Sequence, residues 1–334
     1  MLSRHGIRSL CCAAVATAVL GLSGAASAAE VKIGFLVKQA EEPWFQTEWA
    51  FAEKAGKEHG FTVVKIAVPD GEKTLSAIDN LAANGVKGFV ICPPDVSLGP
   101  AIVAKAKAND MKVMAVDDRF VDAKGKFMED VPYLGMAAYE VGQKQGEAMA
   151  NEAKNRKWEW KDTYAIINTY NELDTGKKRT DGSVDALKKA GMPADQILFA
   201  PQKTLDVPGS MDSTNAALPK LPGNAKNLII GGMNDNTVLG GVRATAGAGF
   251  TPANVIGIGI NGTDAIDELK KKESGFFGSM LPSPDKEGYN SALQMFEWVT
   301  TGKEPPKYTA MDDVTLITRA NFKEVLGKVG LYKE

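Results

Sequence analysis

Residues 31–95, VKIGFLVKQAEEPWFQTEWAFAEKAGKEHGFTVVKIAVPDGEKTLSAIDNLAANGVKGFVICPPD, decide the fold. Apolar and β-branched runs at Lys32–Val37, Thr62–Ala67 and Gly88–Cys92 read as strands. Between them, Trp44–His59 and Lys73–Asn84 carry apolar residues at helical spacing. Strands alternating with helices are βα units, and βα units feed parallel sheets. The pattern continues outward with a helix at Pro100–Asn109, a strand at Lys112–Val116 and a long helix from Ala137 to about Ala153. Strands then follow at Thr163–Asn168, Ile197–Ala200, Asn227–Gly232, Val255–Ile260 and Phe276–Met280. About 300 residues exceed what one hydrophobic core usually organises, so two domains are expected. No low-complexity linker separates them, so structured crossings must join them.

The N-terminus reads as an export signal. Arg4 and Arg8 form a short basic region, Leu10–Leu22 is apolar, and Ala26-Ser27-Ala28 makes a small-residue cleavage site, giving a signal peptide over 1–28. The apolar run is short of the roughly 20 residues that span a bilayer, so cleavage is expected and membrane insertion is not. Cys11 and Cys12 precede most of that run instead of ending it, which argues against a lipid anchor. Cleavage would remove two of the 39 basic residues and none of the 41 acidic ones, taking the formal net charge from −2 to −4. Such a surface does not attract nucleic acid or anionic lipid.

The mature chain keeps Cys92 and His59 as its cysteine and histidine, so it forms no internal disulfide. Cys/His zinc sites and Ser-His-Asp triads both need histidines, and His59 reads as the solvated end of a helix before a glycine cap. Neither metal nor cofactor is expected. Cys92, inside the apolar run GFVIC, reads as a buried strand residue. No glycine-rich phosphate loop follows any strand, which discounts nucleotides.

Open α/β sheets hold ligands past the carboxyl ends of their strands. Polar residues recur there: Lys38 and Glu42 after Val37, Asp117 and Asp118 after Val116, Asn171 and then Arg179 after Asn168, Met233 and Asn234 after Gly232, and Asn261 after Ile260. Singly, each is an ordinary turn or cap residue. Together they mix donors, acceptors and amides, which suits a ligand of many hydroxyls. Trp44 among them offers an apolar face to the C–H side of a sugar ring, or alternatively anchors the first helix in the core.

The segments GFLVKQAEEPWFQTEW (34–49), KIAVPDGEKTL (65–75), GFVICPPD (88–95), AVDDRFVDAKGK (115–126), NELDTGKKRTDGS (171–183), GGMNDNTVLGGVRAT (231–245), IGIGINGTDAI (256–266) and GSMLPSPD (278–285) resemble the arabinose-binding branch of the bacterial type I periplasmic sugar-binding proteins. The resemblance runs from about Val31 to Gly330. It implies an α/β fold of two similar lobes, each a parallel β-sheet flanked by helices, joined by a three-segment hinge. The implied lobes are 30–136 plus 284–312 and 137–282 plus 313–334.

The resemblance further implies a periplasmic, monomeric receptor that is not an enzyme. It would capture L-arabinose, with D-galactose and D-fucose as further candidates, and deliver it to the membrane permease of an ABC importer. By the same resemblance Lys38 and Glu42 bond sugar hydroxyls, Trp44 supplies the apolar contact, and Asp118 meets the anomeric hydroxyl. Asp117 partners the arginine, and Arg179 bonds the ring oxygen and a neighbouring hydroxyl. Asn234 and Asn261 bond the remaining hydroxyls, Met136 and Met233 are apolar pocket residues, and Pro282 touches the ligand indirectly. The chain departs from the family pattern at Ala40, Asp122 and Tyr133–Gly135, near the first hinge.

Two rival classes fit the residues less well. A sugar-acting periplasmic enzyme would use Asp118 and Glu42 as acid and base, but adjacent Asp117 and Asp118 read more simply as hydrogen-bond acceptors. A sugar-responsive repressor would need a helix-turn-helix segment before Val31, where the export signal lies.

Overall fold

The computed structural model describes residues 30–332. The signal peptide over 1–28, with Cys11 and Cys12, lies outside them. The chain runs β1 (Val31–Val37), α1 (Pro43–His59), β2 (Phe61–Ala67), α2 (Gly71–Ala83), β3 (Gly88–Cys92), α3 (Gly99–Ala108), β4 (Lys112–Val116) and β5 (Tyr133–Met136). It continues with α4 (Ala138–Asn155), β6 (Thr163–Thr169), α5 (Asp174–Lys189), β7 (Ile197–Pro201), α6 (Val207–Ala217), β8 (Asn227–Gly231), α7 (Asp235–Gly247), β9 (Val255–Ile260), α8 (Ile266–Leu269) and β10 (Phe276–Leu281). Last come α9 (Pro284–Thr301), β11 (Thr309–Met311), β12 (Thr315–Thr318) and α10 (Phe322–Lys328).

Two six-stranded sheets result, ordered β11-β5-β4-β3-β1-β2 and β12-β10-β9-β8-β6-β7. The first is parallel throughout, and in the second only β12 runs antiparallel, against β10. Strands covered on both faces need apolar residues at both parities, and β1 has them. Ile33, Phe35 and Val37 pack with Trp44, Phe45, Ala292 and Met295 of α1 and α9, while Leu36 packs with Ile78, Leu81 and Ile102 of α2 and α3. The second sheet repeats this: Ile166, Leu228 and Ile230 face α7, and Ala165, Ile167 and Ile229 face α4.

The chain passes between the sheets three times: from β5 into α4, from β10 into α9, and from β11 to β12. Both sheets therefore present the carboxyl ends of their central strands at one shared cleft, whose walls the loops after β1, β4, β6, β8 and β9 supply.

The boundaries differ from the sequence reading where a cap or a short strand decides. Helix α2 starts at Gly71 because the Asp70 side chain accepts from Lys73 N at 2.8 Å, making Asp70 the N-cap. Strands β5, β11 and β12 span only three or four residues, too few to show a period. His59 closes α1 before Gly60, whose φ of 79° is the left-handed cap that glycine favours.

Candidate functional site

At the end of β1, Lys38 reaches over to the loop after β4, where its ammonium donates to Asp118 Oδ2 at 2.5 Å. The other carboxylate oxygen accepts from Thr175 Oγ1 at 2.8 Å. Burial alone would pull Lys38 down and push Asp118 up. The attraction between them outweighs this, holding the lysine above and the carboxyl below its ordinary value. Both groups are thus held as charges. Thr175 lies on α5, which follows the second sheet's β6, so this bond ties the two lobes together.

Helix α5 places Thr175 and Arg179 four residues apart on one buried face. Arg179 donates from Nη1 to the Met233 carbonyl at 3.0 Å, while its buried Nε has no acceptor. A buried guanidinium donor without a partner is costly, and an acceptor on a ligand would satisfy it. Glycines set the position of α5: a Cβ on Gly142 of α4 would collide with the Arg179 carbonyl, and one on Gly182 with the Tyr139 carbonyl.

Asn234 is the N-cap of α7. Its side-chain oxygen accepts from Thr237 N at 2.9 Å, and the Thr237 hydroxyl closes a capping box by accepting from Asn234 N at 3.2 Å. The cap consumes the oxygen and leaves the amide NH₂ to face the cleft. Asn261 adopts φ 117°, a conformation held by its neighbours: buried Asp235 accepts from Gly262 N at 2.8 Å, and Asn261 Nδ2 reaches Asp264 at 3.5 Å. Glu42 is the N-cap residue of α1 but does not cap it; its carboxylate accepts from Gln39 Nε2 at 3.0 Å. Burial, and then repulsion from Asp264 across the cleft, raise Glu42 to about 7.

Trp44 satisfies both readings considered for it. The indole is buried with Phe35 and Val37 in the first lobe's core, and it also lines the cleft. Its N–H donates to Asp117 Oδ2 at 3.2 Å. Asp117 departs from its expected role. It forms no ion pair with Arg179 among the described residues, and instead takes the Trp44 indole beside two further carboxyls, Glu48 and Glu287. Its φ of 57° is left-handed backbone, and Tyr133 holds this turn by donating to the Asp117 carbonyl at 2.8 Å.

Lys38, Glu42, Trp44, Asp117, Asp118, Arg179, Met233, Asn234 and Asn261 surround one small cleft. Met136 does not join them. It lines an adjoining cavity of about 420 Å³ with Arg119, Phe127 and Tyr308, which shares Asp118, Leu173 and Thr175 with the cleft. The larger cavity is polar as well, with Arg119, Glu129, Asp174, Lys178 and Lys307 in its lining, but the smaller one gathers the residues past the strand ends of both sheets and is the candidate site. Gln39, Phe45, Leu173, Thr175 and Leu205 also line it and were not singled out from sequence. Thr175 had a signal, being one helical turn before Arg179. Leu173 and Leu205 had none.

The chain belongs to the family of periplasmic binding proteins and sugar-binding domains of the LacI family, whose profile matches residues 30–325. Within it, the chain is 58% identical to the L-arabinose-binding periplasmic protein of Escherichia coli (strain K12), covering 95% of this chain and 97% of that protein. It is 45% identical to the ABC transporter L-arabinose-binding periplasmic protein of Azospirillum brasilense, covering 98% of each. In fold it resembles an ABC transporter periplasmic solute-binding protein from Actinobacillus succinogenes 130z, solved with D-allose, at a TM-score of 0.71 and 19% identity over 88% of this chain and all of that one.

Proposed function

We propose that this protein is the periplasmic receptor of an ABC importer, taking up L-arabinose between its lobes and presenting it to the membrane permease. The observation that carries the reading is the cleft itself: fixed charges at Lys38 and Asp118, an arginine with an unmatched buried donor, and the capping asparagine's spare amide converge from both lobes on one small space. Neutral polyols satisfy such a set, since each hydroxyl donates and accepts. Identity of 58% and 45% to two arabinose-binding proteins favours the pentose over D-galactose and D-fucose, which stand as secondary ligands.

The hinge follows from the three crossings, with lobes at 30–136 plus 284–312 and 137–282 plus 313–334. Closing the cleft excludes water and strengthens each charged hydrogen bond to the sugar. A monomer suffices, because one chain supplies the whole cleft. The enzyme reading is disfavoured by Asp118, whose two oxygens are committed to Lys38 and Thr175 and whose proton affinity is lowered, the wrong direction for a general acid. Calorimetric titration with a panel of pentoses and hexoses tests the proposal. One saturable site with L-arabinose at the top of the ranking is expected, and sugar returned unchanged after long incubation. Absence of arabinose binding, or turnover, overturns it.

A further inference from the structure

At the wall of the cleft, beside the Trp44 indole, three carboxyl groups meet. Glu48 comes from α1, Asp117 from the loop after β4, and Glu287 from the first turn of α9, and their oxygens lie within 4.8 Å of one another. Helix α9 is pressed onto α1 here, since a Cβ on Gly288 would collide with the Glu48 carbonyl. Glu48 and Glu287 are fully buried, and no N–H or hydroxyl donor reaches any of their four oxygens. Asp117, by contrast, is tied to the Trp44 indole.

Three charges cannot coexist in so small a dry space. The charged and titratable groups facing it are few. Arg179 acts on Glu287 and Asp118, and Lys38 is committed to Asp118. The Cys92 thiol and the Tyr133 phenol are both pushed up by burial and stay neutral. We propose that Glu48 and Glu287 are held as neutral carboxylic acids that donate their protons to Asp117 as hydrogen bonds, and that this pair positions Asp117, and through it Trp44, at the wall of the cleft. The geometry of the cluster requires donors toward Asp117, and two protonated carboxyls supply them without an added cation. Burial, and then the Asp117 charge, raise both glutamates well above their ordinary value. Glu48 and Glu287 are thus positioning residues acting through Asp117, and their effect on sugar rests on the receptor reading above.

A neutral acid has a near-isostere in the amide. Glu48→Gln and Glu287→Gln should therefore fold, keep L-arabinose affinity within about threefold, and remove a pH dependence of stability that the wild type shows. The folded glutamates hold protons that the unfolded chain releases above the ordinary value of 4.5, so wild-type stability falls as pH rises from there. The Gln variants should lose part of that slope, whether or not any sugar binds. Infrared difference spectra of wild type minus each Gln variant at neutral pH should show a protonated-carboxyl carbonyl band. Glu48→Leu, which cannot donate, should weaken arabinose by about tenfold, with Gln as the rescue. The proposal is overturned if the band is absent, if the Gln variants fail to fold, or if Gln weakens binding as much as Leu. It is also overturned if calcium or magnesium raises the wild-type melting temperature and not that of Glu48→Gln, because the cluster would then be a cation site. Arabinose failing to bind wild type sinks the receptor reading alone, leaving the spectra and the pH slope to judge the protons.

Discussion

Thr175 donates its hydroxyl proton to Asp118 across 2.8 Å, joining the helix after β6 to the loop after β4 and so one lobe to the other. The bond is buried, and its acceptor is a carboxylate already neutralised by Lys38. Removing the hydroxyl should loosen the closed state without emptying the sugar's own partners. Thr175→Val is expected to weaken arabinose by about 1 kcal/mol, mainly through faster release, while Thr175→Ser stays near wild type. Stopped-flow dissociation rates check this; an unchanged rate in Thr175→Val would show that the latch contributes nothing.

Arg179 and Asn234 should separate binding from stability. Arg179→Ala leaves sugar acceptors unpaired in a closed site and should cost a few kcal/mol of binding, on the order of losing a charged hydrogen bond. Asn234→Ala loses both a ligand amide and the α7 cap, so it should also cost about 1 kcal/mol of folding stability. Asn234→Ser should keep the cap and lose only the sugar contact. Calorimetry paired with denaturant melts reads the two effects apart.

Glu42 gives a pH signature. Its value of about 7 in the folded chain lies above the ordinary 4.5, so the folded state binds more protons between the two. The stability this contributes is fully present below 4.5 and is lost as pH rises through about 7. Relative to wild type, Glu42→Gln should become progressively more stable across that window. Asp264→Asn should lower the Glu42 midpoint, seen by carbon NMR of the side-chain carboxyl; a midpoint that does not move would show that Asp264 contributes nothing to the shift.

Cys92 is a free thiol with no exposed surface, its Sγ 3.7 Å from Asp118 Oδ2, and burial pushes its pKa up. Thiol reagents should therefore label the native protein slowly and the denatured protein at once. Arabinose should slow labelling further by holding the protein closed. Fast native labelling would contradict the packing around β3.

The fold was legible because β1 through β4 and their helices carry clean periods and end in glycine or asparagine. Much of the candidate site was legible for a related reason: Lys38, Asp118, Asn234 and Asn261 sit one to three residues past strand ends, and a parallel sheet gathers those ends. Sequence spacing does not report which helices touch. Glu48, between Thr47 and Trp49, looks like a solvated helix position until α9 is laid over α1, and Glu287 looks like an N-terminal acid placed for the helix dipole. Asp117 was misassigned for the same reason, because its neighbours come from α1 and α9 and not from α5. Met136, the last residue of β5, lines the adjoining cavity, a placement that spacing alone does not report.

The central claim is that the two lobes close around the sugar, and small-angle scattering of the mature protein tests it most directly. L-arabinose at saturation should lower the radius of gyration, while a sugar that calorimetry finds not to bind should leave it unchanged. A radius of gyration unaltered by arabinose that is demonstrably bound would contradict hinge closure and leave a rigid pocket in its place.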